Sequence, residues 1–184
     1  MIFRIVPLIF TLLFTGCATQ EERWNQNLVL GFENFDNHND SRAIEHLNIA
    51  ISIAEQLNDH EKKAISHYEL GRIYSRMGSF DLALEQLLIA ENILPNIKNP
   101  RPMLHGQILV ELLLANGEYR KSEKEGLAFA KPYLVELKEY LHSYSGHRDG
   151  TKLIANIFNA YIKLYEDAGD KDFANELRSI VGKS

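Results

Sequence analysis

Histidines, carboxylates and a lone thiol are the side chains here that could do chemistry, and their spacing decides how far each can go. His142 and His147 lie beside Asp149 in a polar stretch, close enough in sequence to suggest a metal or acid–base site. A zinc centre needs three or four ligands locked by further hydrogen bonds, and the single cysteine, Cys17, stands far upstream, so the stretch reads as a solvated loop. An enzyme built on His142, His147 and Asp149 would require all three side chains to converge. His147-Arg148-Asp149 matches a phosphoryl-transfer tripeptide, but no glycine-rich phosphate loop accompanies it. The run Asp36-Asn37-His38-Asn39-Asp40-Ser41 is oxygen-rich enough for calcium. Ser41 stands where the central glycine belongs and Leu47 where a bidentate glutamate belongs, so it reads as a helix-capping turn. No Gly-x-Ser-x-Gly elbow, phosphate loop or His-Glu-x-x-His helix occurs. The expectation is a non-enzyme without cofactor or metal.

Cys17 closes an apolar run, Ile5 to Phe14, that carries no charge and follows the single Arg4. That run is too short to span a membrane and no stop-transfer segment follows, so it reads as a secretory signal. Phe14-Thr15-Gly16-Cys17 resembles the lipobox of bacterial lipoproteins, with Phe14 in place of the usual leucine. The resemblance implies that residues 1–16 are a signal peptide and that Cys17 becomes a lipidated first residue. As the only cysteine, it excludes an internal disulfide. Ala18 follows it instead of the aspartate that usually signals inner-membrane retention. The resemblance therefore implies the outer membrane, with a domain facing the periplasm or the surface. Residues 17–23 would form a short lipidated tether.

The leader holds Arg4 and no acid, so the mature chain keeps 19 of the 20 Lys+Arg against 25 Asp+Glu, a net of −6. Such a balance argues against nucleic acid, whose phosphates demand clustered positive charge. It also excludes a polybasic membrane patch, leaving acyl chains as the anchor.

After Cys17 no stretch alternates with a period of two. Apolar residues recur every three or four positions, as in Ile44, Leu47, Ile51 and Ile154, Phe158, Tyr161, Tyr165. Turn signals stand at Asp36–Asp40, Met77-Gly78-Ser79, Asn116-Gly117-Glu118 and Ala168-Gly169-Asp170. Within residues 64–97, Tyr68, Leu70-Gly71, Tyr74, Gly78, Phe80, Ala83, Leu87, Ala90 and Pro95 resemble a tetratricopeptide (TPR) repeat. Gly71 and Ala83 are small so that the two helices of one hairpin approach closely, and Gly78 takes the backbone conformation needed just past a helix. Leu30-Gly31 with Ala43, Leu47 and Ala50 repeats the pattern upstream. Leu109-Val110, Leu113 and Gly117-Glu118-Tyr119 repeat it more loosely downstream, as do Phe158, Tyr161 and Ala174. Residues 131–151 interrupt the spacing, with Pro132 expected to kink a helix and residues 143–150 to form a loop. The fold expected over residues 24–184 is all-α, a right-handed α-solenoid of about four antiparallel TPR-like hairpins.

In TPR arrays the first helix of each hairpin lines a concave groove that holds a partner segment. By helical phase, Tyr68, Arg72 and Arg76 share one such face, followed by Gln107 and Glu111, then Asn159 and Lys163. The corresponding residues of the first hairpin, Leu28, Phe32 and Phe35, are apolar. Arg72 and Arg76 could clamp a carboxylate, or pair with Glu69 and Glu111 as ordinary surface charges. The resemblance implies a scaffold or adaptor that binds an envelope protein or peptide, in assembly, secretion or pilus machinery. The alternative is a sensor or carrier of a small ligand or peptide. An open channel exposing Tyr68, Arg72 and Arg76 would favour the first, and a closed pocket of Phe32, Phe35 and Tyr68 the second.

Overall fold

A computed structural model of the chain describes residues 18–99, 101–120, 123–143 and 148–181, with the backbone alone at 102, 141–143 and 148–151. Residues 1–16 and Cys17 lie outside that range, as do His147 and the side chains of His142 and Asp149.

Among the described residues, eight helices run in chain order: α1 (Gln20–Asp36), α2 (Asp40–Gln56), α3 (His60–Arg76), α4 (Phe80–Ile93), α5 (Pro102–Arg120), α6 (Lys124–Ser143), α7 (Arg148–Asp167) and α8 (Lys171–Val181). A 3-10 turn, Leu94–Asn96, extends α4, and no strand occurs among the described residues. Neighbouring helices pack in sequence order, α1 on α2, α2 on α3 and so on to α7 on α8, with α3 also against α5 and α5 against α7. Four antiparallel hairpins therefore stack as a solenoid in which the first helices are mutual neighbours.

The local signals that start and stop these helices repeat. Thr19 caps α1 reciprocally: its hydroxyl accepts from the Glu22 N–H at 3.1 Å and its own N–H donates to Glu22 Oε2 at 2.7 Å. Asp59 caps α3 by accepting from the Lys62 N–H at 2.9 Å. Four helices end with the same pair of backbone bonds, closed by a residue in the left-handed region: His38, Asn58, Gly78 and Gly169. The first three stand twenty residues apart, so the first two hairpins repeat with a forty-residue period. Gly31 and Gly71 are equivalent in that frame, as are Ala43 and Ala83, Leu47 and Leu87, and Ala50 and Ala90, all buried. A β-carbon on Gly31 would stand 3.0 Å from Leu47, and one on Gly71 2.7 Å from Leu87. Glycine in the first helix thus lets the leucine of the second lie directly on its backbone.

The interior forms two apolar clusters. One runs from Trp24 through α1–α4 to Leu104, Ile108, Leu112 and Ala115 of α5; the other joins Leu109, Val110 and Leu113 of α5 to α6, α7 and α8. Phe158, Tyr161, Phe173, Leu177 and Ile180 are all buried, so α8 covers the apolar face of α7.

Three sequence expectations are corrected. Gln20–Arg23, expected as tether, is the first turn of α1, because the Thr19–Glu22 cap starts the helix earlier. Asn116-Gly117-Glu118 is not a turn but lies within α5, where the Asn116 side chain bonds Gly126 O and Tyr161 Oη, each at 3.0 Å, instead of capping its own helix. The polar stretch 143–150 is helical from Arg148 onward. Pro132 lies inside α6, which continues around it with Leu127, Ala130, Leu134 and Leu137 buried on either side. Among the described residues, no helix is long and apolar enough to cross a membrane.

Candidate functional site

Because first helices neighbour one another, the face of α1 that carries Phe32 and Phe35 meets the face of α3 that carries Glu69, Arg72, Ile73 and Arg76. Together with Asp36 these side chains line an open cavity of about 390 Å³. In the forty-residue frame Phe32 is equivalent to Arg72 and Asp36 to Arg76, so α1 offers a ring and a carboxylate where α3 offers two cations.

Arg76 is the more available cation. Its side chain is 53% exposed, its guanidinium carbon lies 3.5 Å from the centre of the Phe35 ring, and its ion pair with Asp36 is long at 3.9 Å. Arg72 is held more firmly, by Glu69 at 2.7 Å and Glu111 of α5 at 3.8 Å, over the ring of Tyr68. Burial raises the carboxyls of Glu69 and Glu111 above the usual carboxylate range, against the pull of Arg72. Burial also opposes the charge on Arg72, but Glu69, Tyr68 and Glu111 outweigh it and hold the guanidinium above its ordinary value. Arg72 is thus paired in the alternative manner weighed from sequence, and the two arginines do not form a free clamp. Phe35 is buried and Phe32 partly buried, so they form the apolar floor.

The other expected positions are spread along the array. Tyr68 is buried with its ring against the Arg72 guanidinium and does not line the cavity. Glu111 joins the cluster from α5, whereas Gln107 is exposed on α5 without lining the cavity. Asn159 and Lys163 are exposed on α7, away from the α1–α3 cavity. Leu28 is buried in the first core. Glu69, which neutralises Arg72, was legible only as one possible partner. Trp24 reaches across to α3, where its indole N–H donates to Ser66 Oγ at 3.0 Å.

With this geometry the chain has the fold of a TPR-like helical solenoid. No protein-family model matches it. The response regulator aspartate phosphatase A of Bacillus subtilis (strain 168) is 27% identical over 124 residues, which is 64% of this chain and 33% of that protein. The chain therefore spans about a third of the length of this curated relative. Among solved structures, a Podosopora anserina protein of nearly identical TPR-like repeats of the kinesin light chain kind aligns with a TM-score of 0.62 at 18% identity, over 91% of this chain and 78% of that one. A single-residue variant of that protein aligns equally well, with a TM-score of 0.62 at 18% identity, over 91% and 77% of the two chains. These structures share the fold of the chain.

Proposed function

We propose that the chain is a protein-interaction scaffold whose α1–α3 cavity seats a segment of a partner. The observation that carries this reading is the pairing of an apolar floor, Phe32 and Phe35, with the exposed guanidinium of Arg76 in one open cavity. An apolar side chain flanked by a carboxylate fits it: the first would cover the aromatic floor, and the second would displace the long Asp36 contact. Arg72, already neutralised by Glu69, shapes the wall. The scaffold reading is preferred to a catalytic one because the groups lining the cavity are paired cations, carboxylates and aromatics, with no nucleophile beside a base.

The lipobox-like Phe14-Thr15-Gly16-Cys17 supports a lipid anchor on Cys17, and Ala18 supports an outer-membrane adaptor with its domain facing the periplasm. The partner would then be an envelope protein. A second reading, a carrier of a small ligand or peptide, draws on the cavity volume, which lies within the range of small-ligand pockets.

Photo-crosslinking in the intact envelope separates these. A crosslinker replacing Phe32 should trap one discrete protein adduct, while a crosslinker at the exposed Glu85 of α4 should not. Adding Arg76→Ala should reduce the Phe32 adduct several-fold. Equal trapping at both positions would remove the groove from the reading. A co-purifying small molecule without any protein adduct would establish the carrier instead.

A further inference from the structure

On three successive helices, with no residue in common with the groove lining, a second cluster forms. Glu91 lies near the end of α4, His105 near the start of α5 and Glu136 within α6. One ligand atom from each lies within 4.8 Å of the others, and all three residues are partly buried. The histidine is oriented from outside the cluster. Its Nδ1 is 2.7 Å from the Tyr140 hydroxyl, one turn beyond Glu136, and the two rings meet edge to face at 5.4 Å. Its Nε2 is buried and makes no hydrogen bond, although Glu136 Oε1 stands 3.3 Å away. Among the described residues, no lysine or arginine pairs with Glu91 or Glu136.

We infer that Glu91, His105 and Glu136 bind a divalent transition-metal cation. Two carboxylates without a basic partner carry an excess of negative charge that a cation would neutralise, and imidazole with carboxylate oxygens is a donor set suited to zinc or manganese. When the Tyr140 oxygen accepts the Nδ1 proton, the Nε2 lone pair faces the two carboxylates, the arrangement in which a histidine ligates a metal. The opposite tautomer would aim an N–H at Glu136, where no hydrogen bond is made. Ligands around one zinc ion stand about 3–3.5 Å apart, so the carboxylates must close in slightly, which rotation of the glutamate side chains allows. Three protein ligands leave a coordination position for water. The ion would tie the second hairpin to the third across α5, independently of what the groove holds.

The test uses the full-length chain in detergent with Cys17→Ser, which removes the only thiol. Zinc chloride is titrated by calorimetry and cobalt chloride by visible absorption. One zinc per chain is expected, with ligand-field bands from bound cobalt. Glu91→Gln and Glu136→Gln preserve side-chain shape and should each weaken zinc binding at least tenfold and abolish the cobalt bands. His105→Gln, checked for folding by circular dichroism, should do the same. Zinc binding unchanged in both glutamine variants would assign the ion to other histidines and overturn the site. Wild-type uptake no greater than that of the Glu91→Gln/Glu136→Gln double variant would overturn it as well.

Discussion

A β-carbon on Gly71 would stand 2.7 Å from Leu87 Cγ and 3.3 Å from the Ala83 carbonyl oxygen, whereas on Gly117 it would meet nothing nearer than Tyr161 Oη at 3.7 Å. The two helical glycines therefore have opposite prospects. At Gly71 the neighbours are a fully buried leucine and a backbone oxygen, neither able to withdraw, so Gly71→Ala should destabilise by about 1–3 kcal/mol through overpacking. At Gly117 the added methyl makes ordinary contact while the unfolded chain loses freedom, so Gly117→Ala should stabilise by about 0.5–1 kcal/mol. Urea midpoints of the two variants against wild type decide both. A lower midpoint for Gly117→Ala would mean that close approach to α7 requires the glycine.

The seam between α5 and α7 has its own chemistry. The Tyr161 hydroxyl donates to the Leu113 carbonyl at 2.8 Å and accepts from Asn116 Nδ2 at 3.0 Å, wholly within the core. Burial pushes its pKa up to about 12, the hydrogen bond from Asn116 pulling the other way. The native state thus keeps a proton that the unfolded chain loses near pH 10. Stability from this group is intact below pH 10 and falls as pH rises toward 12, by about 2–3 kcal/mol in all. Tyr161→Phe should cost about 1 kcal/mol at neutral pH yet flatten the decline between pH 10 and 12, read from melting temperature against pH. A decline of unchanged slope would place the alkaline sensitivity elsewhere; Tyr165, also raised by burial and donating to the Leu127 carbonyl of α6, is the next group to test. This seam also shows why the elements were only partly legible in the sequence. Gly78 marks its turn by type, and Gly71, Ala83 and Ala90 mark close helix contacts at characteristic spacing. Gly117 carries the same letter but lies inside α5, which runs on through it to Arg120. Asn58 closes α2 as Gly78 closes α3, yet its neighbours lack the other repeat residues. Phe32, Arg72 and Arg76 could be placed on one groove by phase because they share first helices. Glu91, His105 and Glu136 could not, since they meet only through the packing of α4, α5 and α6.

At the scale of the whole molecule, α5 belongs to both apolar clusters and Tyr133 of α6 packs against each, so the two halves of the solenoid are bound through α5 and α6. The balance of charge bears on how the chain would be held at a membrane. Were residues 1–16 removed, the net of −6 would set electrostatics against an anionic bilayer, and the described helices offer no apolar span. Three acyl chains on Cys17 would supply affinity far beyond that repulsion, at about 0.8 kcal/mol for each buried methylene. The capped start of α1 at Thr19 leaves only Ala18 between Cys17 and that cap, which would hold the acidic solenoid close against the headgroups. Membrane attachment should therefore be all or none with respect to the thiol. In cells fed labelled palmitate, the wild-type chain should incorporate label, enter the detergent phase on phase separation and stay there in 1 M salt (a Debye length of about 3 Å). Cys17→Ser should take up no label. Release of the wild-type chain by salt, or label retained in Cys17→Ser, would replace the lipid anchor with a surface contact made by the solenoid itself.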